Sequence, residues 1–382
     1  MNIKSLLIGS AAALVAATGA RAADAIVMPE PEPVEYVRVC DMYGAGFFYI
    51  PGTETCLAIS GYVWYQVGAS SATRFFANGV RARVNFDARS ETEWGTLRGY
   101  VRIQGDWDPQ NQLLGGTVTT VAGVPVVPGT INTVSRFGTD GLTALDQAYI
   151  TLGGLFMGYS ESTWAADYTN PGATNFGSHS WSGLAYGYQQ RHRIGYTFNG
   201  GNGLFATLSL EDDGNTNYVP DFVFKAGVNQ GWGALWAKVA YDEDIAPGTA
   251  ALIGARAAGL SGVDGWAASL GAHINVPNMP GSSFKLIGFY ASNANAYSVG
   301  SRWSVLASYN HQFSSTLGAS IGAQYFNDTN FAGAGRPTAW QVELSVVATP
   351  VTNFEVRAEI NHFKASGVRG VTSGYLRFTR YF

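Results

Sequence analysis

The 382-residue sequence has few charges, two cysteines and no long apolar run past its first segment, and each shortage removes a class of protein. Lys, Arg, Asp and Glu make up 13% of the chain, about half the usual share. Their balance is −4, so the chain carries no basic footprint for nucleic acid. After residue 22, glycine, polar or charged residues interrupt every apolar stretch before it reaches the roughly 18 residues of a transmembrane helix. Cys40 and Cys56 stand in no C-x-x-C or Cys/His spacing. The histidines (His179, His192, His273, His311 and His362) fall on separate segments, and G-x-S-x-G, H-E-x-x-H and Walker-type loops are all missing. Catalysis, a bound metal and a cofactor are therefore not expected. Helical periodicity is almost missing as well.

The first segment is a secretory signal: Lys4, an apolar core over residues 6–17, and Ala20-Arg21-Ala22 as an A-x-A cleavage site. The core is too short to anchor in a bilayer. Cleavage after residue 22 removes Lys4 and Arg21, leaving 21 basic against 27 acidic residues and a net charge of −6. Outside the cytoplasm Cys40 and Cys56 are expected to form a disulfide closing a short loop. Two free thiols are the alternative.

What the chain has instead is glycine (48 residues), aromatics (13%) and alternation. Residues 27–33 alternate Pro with Glu and cannot ladder, so residues 23–56 are expected to be a pre-barrel periplasmic segment. From residue 57 to 382 the chain falls into period-2 segments separated by Gly, Pro, Asn and Asp. In residues 80–89, Arg81, Arg83, Asn85, Asp87 and Arg89 share one face and Val80, Ala82, Val84, Phe86 and Ala88 the other. Residues 97–106 repeat the pattern with Arg98, Tyr100, Arg102, Gln104 and Asp106. About 16 such segments start near residues 57, 80, 97, 144, 155, 190, 204, 221, 233, 265, 284, 301, 316, 338, 353 and 373. Short connections take turns with long ones. The outward Tyr241, Trp266, Tyr290, Trp303, Tyr325 and Trp340 fall toward the long-loop end, and Phe284, Tyr309, Phe354 and Phe378 toward the other. Two aromatic belts around an aliphatic band are what a lipid-facing wall needs. The expected fold is an all-β transmembrane antiparallel barrel with short periplasmic turns and long extracellular loops. A secreted β-sandwich would explain the alternation but neither the strand count nor the belts.

If the apolar face meets lipid, the polar face lines an aqueous lumen. Arg81, Arg83, Arg98 and Arg102, joined by Arg191 and Arg193, are expected to form a basic wall where ions pass; simple solvated charges paired with Asp87 and Asp106 are the alternative. Residues 161–190 form a long polar connection with Glu161 and Asp167 as its acids, and Trp164 and Tyr168 among its aromatics. It is expected to fold into the barrel as a constriction loop facing the arginines. An external loop is the alternative.

Three stretches are similar to a known family: the leader MNIKSLLIGSAAALVAATGA followed by ADAIV, the block EYVRVCDMYGAGFFYIPGTETCLAISGYV, and the ending YLRFTRYF. Together with the hairpin ALDQAYITLGGLFMGYSES they resemble the alphaproteobacterial (Rhizobiales-type) general porins of the outer membrane. The resemblance implies a 16-stranded barrel, a homotrimer with one pore per subunit, and passive diffusion of small hydrophilic solutes and ions. It implies contact with outer-membrane lipid and lipopolysaccharide, and a C-terminal Phe382 read by the barrel-assembly machinery. Family loops of this kind are often more acidic than residues 161–190, so no cation preference carries over. The apolar segment 107–141 is a further expected contact with a neighbouring subunit. Within transport the alternative is a sugar-selective channel stacking solutes on Trp164, Tyr168, Trp181, Tyr186 and Tyr188. From another class, an adhesin or barrel-bound hydrolase would need surface domains or a Ser/His pair, and neither is visible.

Overall fold

Alternation at period 2 with one apolar face requires strands, and strands in lipid must pair at both edges. The computed structural model describes residues 38–72, 76–107, 142–166, 177–181, 184–212, 219–243, 264–331 and 335–382. Contacts divide the chain into residues 1–39 and 40–382, and every strand belongs to the second unit. The signal, the Pro-Glu stretch and residues 108–141 lie outside the described residues.

A short strand β1 (Phe47–Tyr49) precedes β2 (Cys56–Ser70), β3 (Phe76–Thr92), β4 (Gly95–Trp107), β5 (Leu142–Leu152), β6 (Leu155–Glu161), β7 (Gln190–Gly201) and β8 (Leu204–Glu211). Then come β9 (Asp221–Gln230), β10 (Gly233–Asp242), β11 (Gly265–Asn275), β12 (Ser283–Ala291), β13 (Trp303–Ser314), β14 (Leu317–Asn327), β15 (Thr338–Val351), β16 (Phe354–Ala365) and β17 (Val371–Tyr381). From β2 onward each strand pairs antiparallel with the next, and β17 returns to β2 from Ser373↔Ser70 to Tyr381↔Tyr62. The result is a closed 16-stranded barrel, as the segment count predicts. Beyond the strand ladder, Phe382 and Gly61 exchange both backbone hydrogen bonds, at 2.9 and 3.1 Å.

Tight turns join alternate strand pairs, such as Asn202-Gly203 between β7 and β8 with φ of 48° and 77°. Both angles lie in the left-handed region that an Asn-Gly type I′ turn demands. At the same rim Cys40 and Cys56 form the expected disulfide, with Cα atoms 6.0 Å apart. No alternation announces the short β1, which pairs with residues 56–58 beside that disulfide.

The wall is inverted relative to a soluble protein. On β15 and β16, Leu344 (52% exposed) and Ile360 (49%) face out while Glu343 (3%) and Glu359 (5%) are buried. In water a continuous apolar band of this kind would aggregate; in hydrocarbon it is the stable arrangement. Its long-loop edge is a line of rings. Register sets Tyr241 beside Trp266, Tyr290 beside Trp303 and Tyr325 beside Trp340, with Trp266–Tyr290 and Trp303–Tyr325 centroids at 4.9 and 5.4 Å. Toward the short turns Phe284 stacks on Tyr309 at 4.4 Å.

Candidate functional site: the charged lumen wall and the segment across it

The β3–β4 register places the inward residues of the two strands directly opposite: Arg81↔Asp106, Arg83↔Gln104, Asn85↔Arg102, Asp87↔Tyr100 and Arg89↔Arg98. Like charges opposed in this way repel unless an acid intervenes. Asp87 intervenes at the short-turn end, accepting from Arg89 at 2.9 and 2.7 Å and from Arg98 at 2.8 Å twice. Nearer the long loops Arg81 pairs with Asp106 at 2.5 Å. Arg83 donates to Gln104, which in turn donates to Asp106 at 2.8 Å.

Between these pairs an acid arrives from β5. The β4–β5 ladder slips between Arg102 and Ile103, so that Asp146 and Gln147 both face inward while Leu145 faces out. Such a bulge re-aims a side chain. Asp146 Oδ2 lies 3.5 Å from both Arg83 and Arg102, and Glu161 Oε1 lies 3.9 Å from Arg102. Asp146 therefore stands at ion-pair distance from both guanidinium groups without clasping either, offsetting one of their two charges. Two strands farther round, Arg193 donates to Ser160 and Thr163 at 2.8 Å. Arg191 donates to Gln189 at 3.1 and 2.8 Å.

The described residues that follow β6 leave this wall. Their first turn is fixed to the β8–β10 side: Thr163 N–H donates to Glu211 at 2.8 Å and Lys238 Nζ to the Trp164 carbonyl at 2.7 Å. Trp164 is fully buried there, its ring 5.8 Å from Tyr297. The next described residues reach the opposite side. His179 bonds Ser308 and Ser283 at 2.8 and 2.9 Å, Lys285 donates to the Ser178 carbonyl at 3.2 Å, and Ser180 and the Trp181 N–H donate to Glu343 and Glu359 at 2.5 and 2.7 Å. The return is held by Gln324, which donates to the Ala185 carbonyl at 2.7 Å. Burial, with Lys285 and His273 adding repulsion, pushes the His179 imidazole down to about 3. It is neutral, so one ring nitrogen donates and the other accepts.

Arg83 and Arg102, with Glu161 beside Arg102, thus come together around an acid, Asp146, that sequence reasoning overlooked, while Arg81 is held by Asp106. Its only signal is the doubled polar pair Asp146-Gln147 inside an alternating strand. Arg98 belongs to a separate tier with Asp87, and Arg191 and Arg193 to β7. Trp164 packs against Lys238 and Tyr297 rather than the arginine wall, whereas Trp181, 38% exposed, rests on Arg377 at 5.0 Å. Asp167 and Tyr168 lie outside the described residues. Arg357, Arg377, Glu343 and Glu359 join the inward face from the closing strands.

A family model described as the porin subfamily matches residues 24–373. Porin Omp2a of Brucella ovis is 43% identical, the match covering 64% of this chain and 72% of that one. Porin Omp2b of Brucella canis is 34% identical, covering 96% and 94%. Among solved structures, the outer membrane channel DcaP of Acinetobacter baumannii superposes with a TM-score of 0.61 at 14% identity, covering 87% of this chain and 99% of that chain. The trimer form of OmpT of Vibrio cholerae gives 0.56 at 10% identity, covering 86% and 100%. With its closed barrel, inverted wall and charged lumen, the chain belongs to the porin subfamily, a channel protein of the bacterial outer membrane.

Proposed function

We propose that this porin passes small hydrophilic solutes and ions by passive diffusion, through an eyelet between the crossing segment of residues 161–190 and the wall of Arg81, Arg83, Arg102 and Arg193. One observation carries the reading: charged and amide side chains line the inside of a barrel too wide for side chains to fill, and Thr163 and Trp181 bond to separate parts of its inner wall. Glu161 and Trp164 begin the constriction, and Asp167 and Tyr168 continue it by position in the chain. Arg98 and Arg191 extend the basic surface toward the two mouths.

The assembly we infer is a homotrimer, as OmpT of Vibrio cholerae takes in one of its solved forms. The ring line covers β10 to β15, whereas the outward faces of β3 and β4 carry Ala82, Ala88, Gly99 and Gly105. Small residues let apolar walls approach closely. The signal of residues 1–22, the periplasmic segment 23–56 and an aromatic C-terminus offered to the assembly machinery complete the reading, with lipopolysaccharide around the long-loop rim. Planar-bilayer recording on purified, refolded protein tests it. Stepwise conductance grouped in threes is the expected result, and a bilayer that stays silent overturns the channel.

A further inference from the structure

Most inward arginines are matched to acids: Arg81 to Asp106, Arg98 to Asp87, Arg83 and Arg102 to Asp146, Arg357 to Glu355 and Glu359. Arg377, in the middle of β17, is not. It is 4% exposed, its Nε donates to Gln66 at 2.7 Å, and no carboxylate pairs with it among the described residues. Neither Nη atom donates to a described group, and neither is sealed from the lumen. Directly across the ladder stands a second cation, Arg357. Rings surround the guanidinium instead: Tyr375 at 4.6 Å, Trp64 at 4.7 Å and Trp181 at 5.0 Å.

Glu359, held by Arg357, attracts Arg377 only from beyond ion-pair distance, and aromatic faces offset only part of the cost of burying such a cation. A guanidinium fork can meet a carboxylate through two parallel N–H bonds, an arrangement a lysine does not offer. Trp181 is the most exposed ring of the three, and it borders the same guanidinium from the residues after β6. A flat solute body lying on it would bring an attached carboxylate to Arg377.

We propose that Arg377 and Trp181 form a binding subsite for small organic anions that carry a carboxylate on a flat ring. The subsite rests on the channel reading and adds a solute class to it. The test is unit current in planar bilayers bathed in KCl, with benzoate, acetate or benzylammonium added. Benzoate should lower the current saturably, acetate should need about tenfold more for the same effect, and benzylammonium should not compete. Arg377→Gln should raise the half-effect concentration of benzoate about tenfold, with Arg377→Lys falling between. Trp181→Ala should weaken benzoate and leave acetate unchanged. A benzoate effect that never saturates, equal potency of benzylammonium, or an unchanged half-effect in Arg377→Gln overturns the subsite. If Arg377→Gln does not fold, Trp181→Ala and the three probes on the unaltered protein decide by the same criteria. Steps in KCl without any benzoate effect count against the subsite alone, whereas silence in KCl removes the channel and the subsite with it.

Discussion

The carboxylate of Asp146 stands 3.5 Å from the guanidinium of Arg102, at a wall position that unbroken alternation along β5 would have turned to lipid. One residue of slippage therefore changes the net charge of this part of the wall.

Asp146→Asn should unmask Arg83 and Arg102 and move the reversal potential in a KCl gradient toward anions. A charge at about 4 Å in a watery lumen is worth roughly 1 kcal/mol, so the permeability ratio should change by at most about fivefold. A shift toward cations, or none, would show that Asp146 lies off the ion path.

Replacing the arginines singly should give a graded series. Arg83→Ser and Arg102→Ser should shift the same potential toward cations, because each leaves Asp146 or Glu161 underbalanced. Arg98→Ser should act more weakly, since Arg89 remains on Asp87. Equal shifts from all three would remove the distinction between the two tiers.

Acid should loosen the crossing segment at His179. Its folded value, about 3, lies below the ordinary one of about 6.5. The neutral form therefore favours the docked state above pH 6.5, and that contribution is lost progressively as pH falls toward 3. Around the ring stand His273 and Lys285, with the cavity of 340 Å³ that His179 shares with Arg357 on its other side. Current noise should rise between pH 6 and 4 in the native protein, and His179→Asn should flatten that rise. Noise independent of pH in the native protein would detach the imidazole from the docking.

Deleting Phe382 removes the two backbone hydrogen bonds to Gly61, each worth about 0.5–1.5 kcal/mol. The expected result is a lower yield of folded barrel with unit conductance unchanged, read by heat-modifiable electrophoretic mobility and by bilayer recording. Reduced conductance in the barrels that do form would place Phe382 in the pore instead.

The strand starts were legible because lipid on one side and water on the other leave period 2 little freedom: from residue 57 onward the expected starts fall within a few residues of the observed ones. The line from Tyr241 to Trp340 was legible for the same reason. Asp146 was not, since a bulge breaks the very period used to assign faces. Trp164 was read by its type, as a ring for the lumen, but Lys238 and Tyr297 close over it, and that contact joins residues more than seventy positions apart. That no carboxylate among the described residues comes within ion-pair distance of Arg377 depends on which residues β16 and β2 set beside it, a matter of register.

The crossing segment also has a mechanical side. A ring of sixteen strands filled with water is a hoop, and a hoop bends easily across its diameter. Thr163 and Trp164 are tied to Glu211 and Lys238 on one side, and His179, Ser180 and Trp181 to Ser283, Ser308, Glu343 and Glu359 on the other, so both sides of the hoop are braced from within. The outline of the opening is then held by the protein's own bracing, and sideways pressure from the surrounding lipid should alter its sieving little.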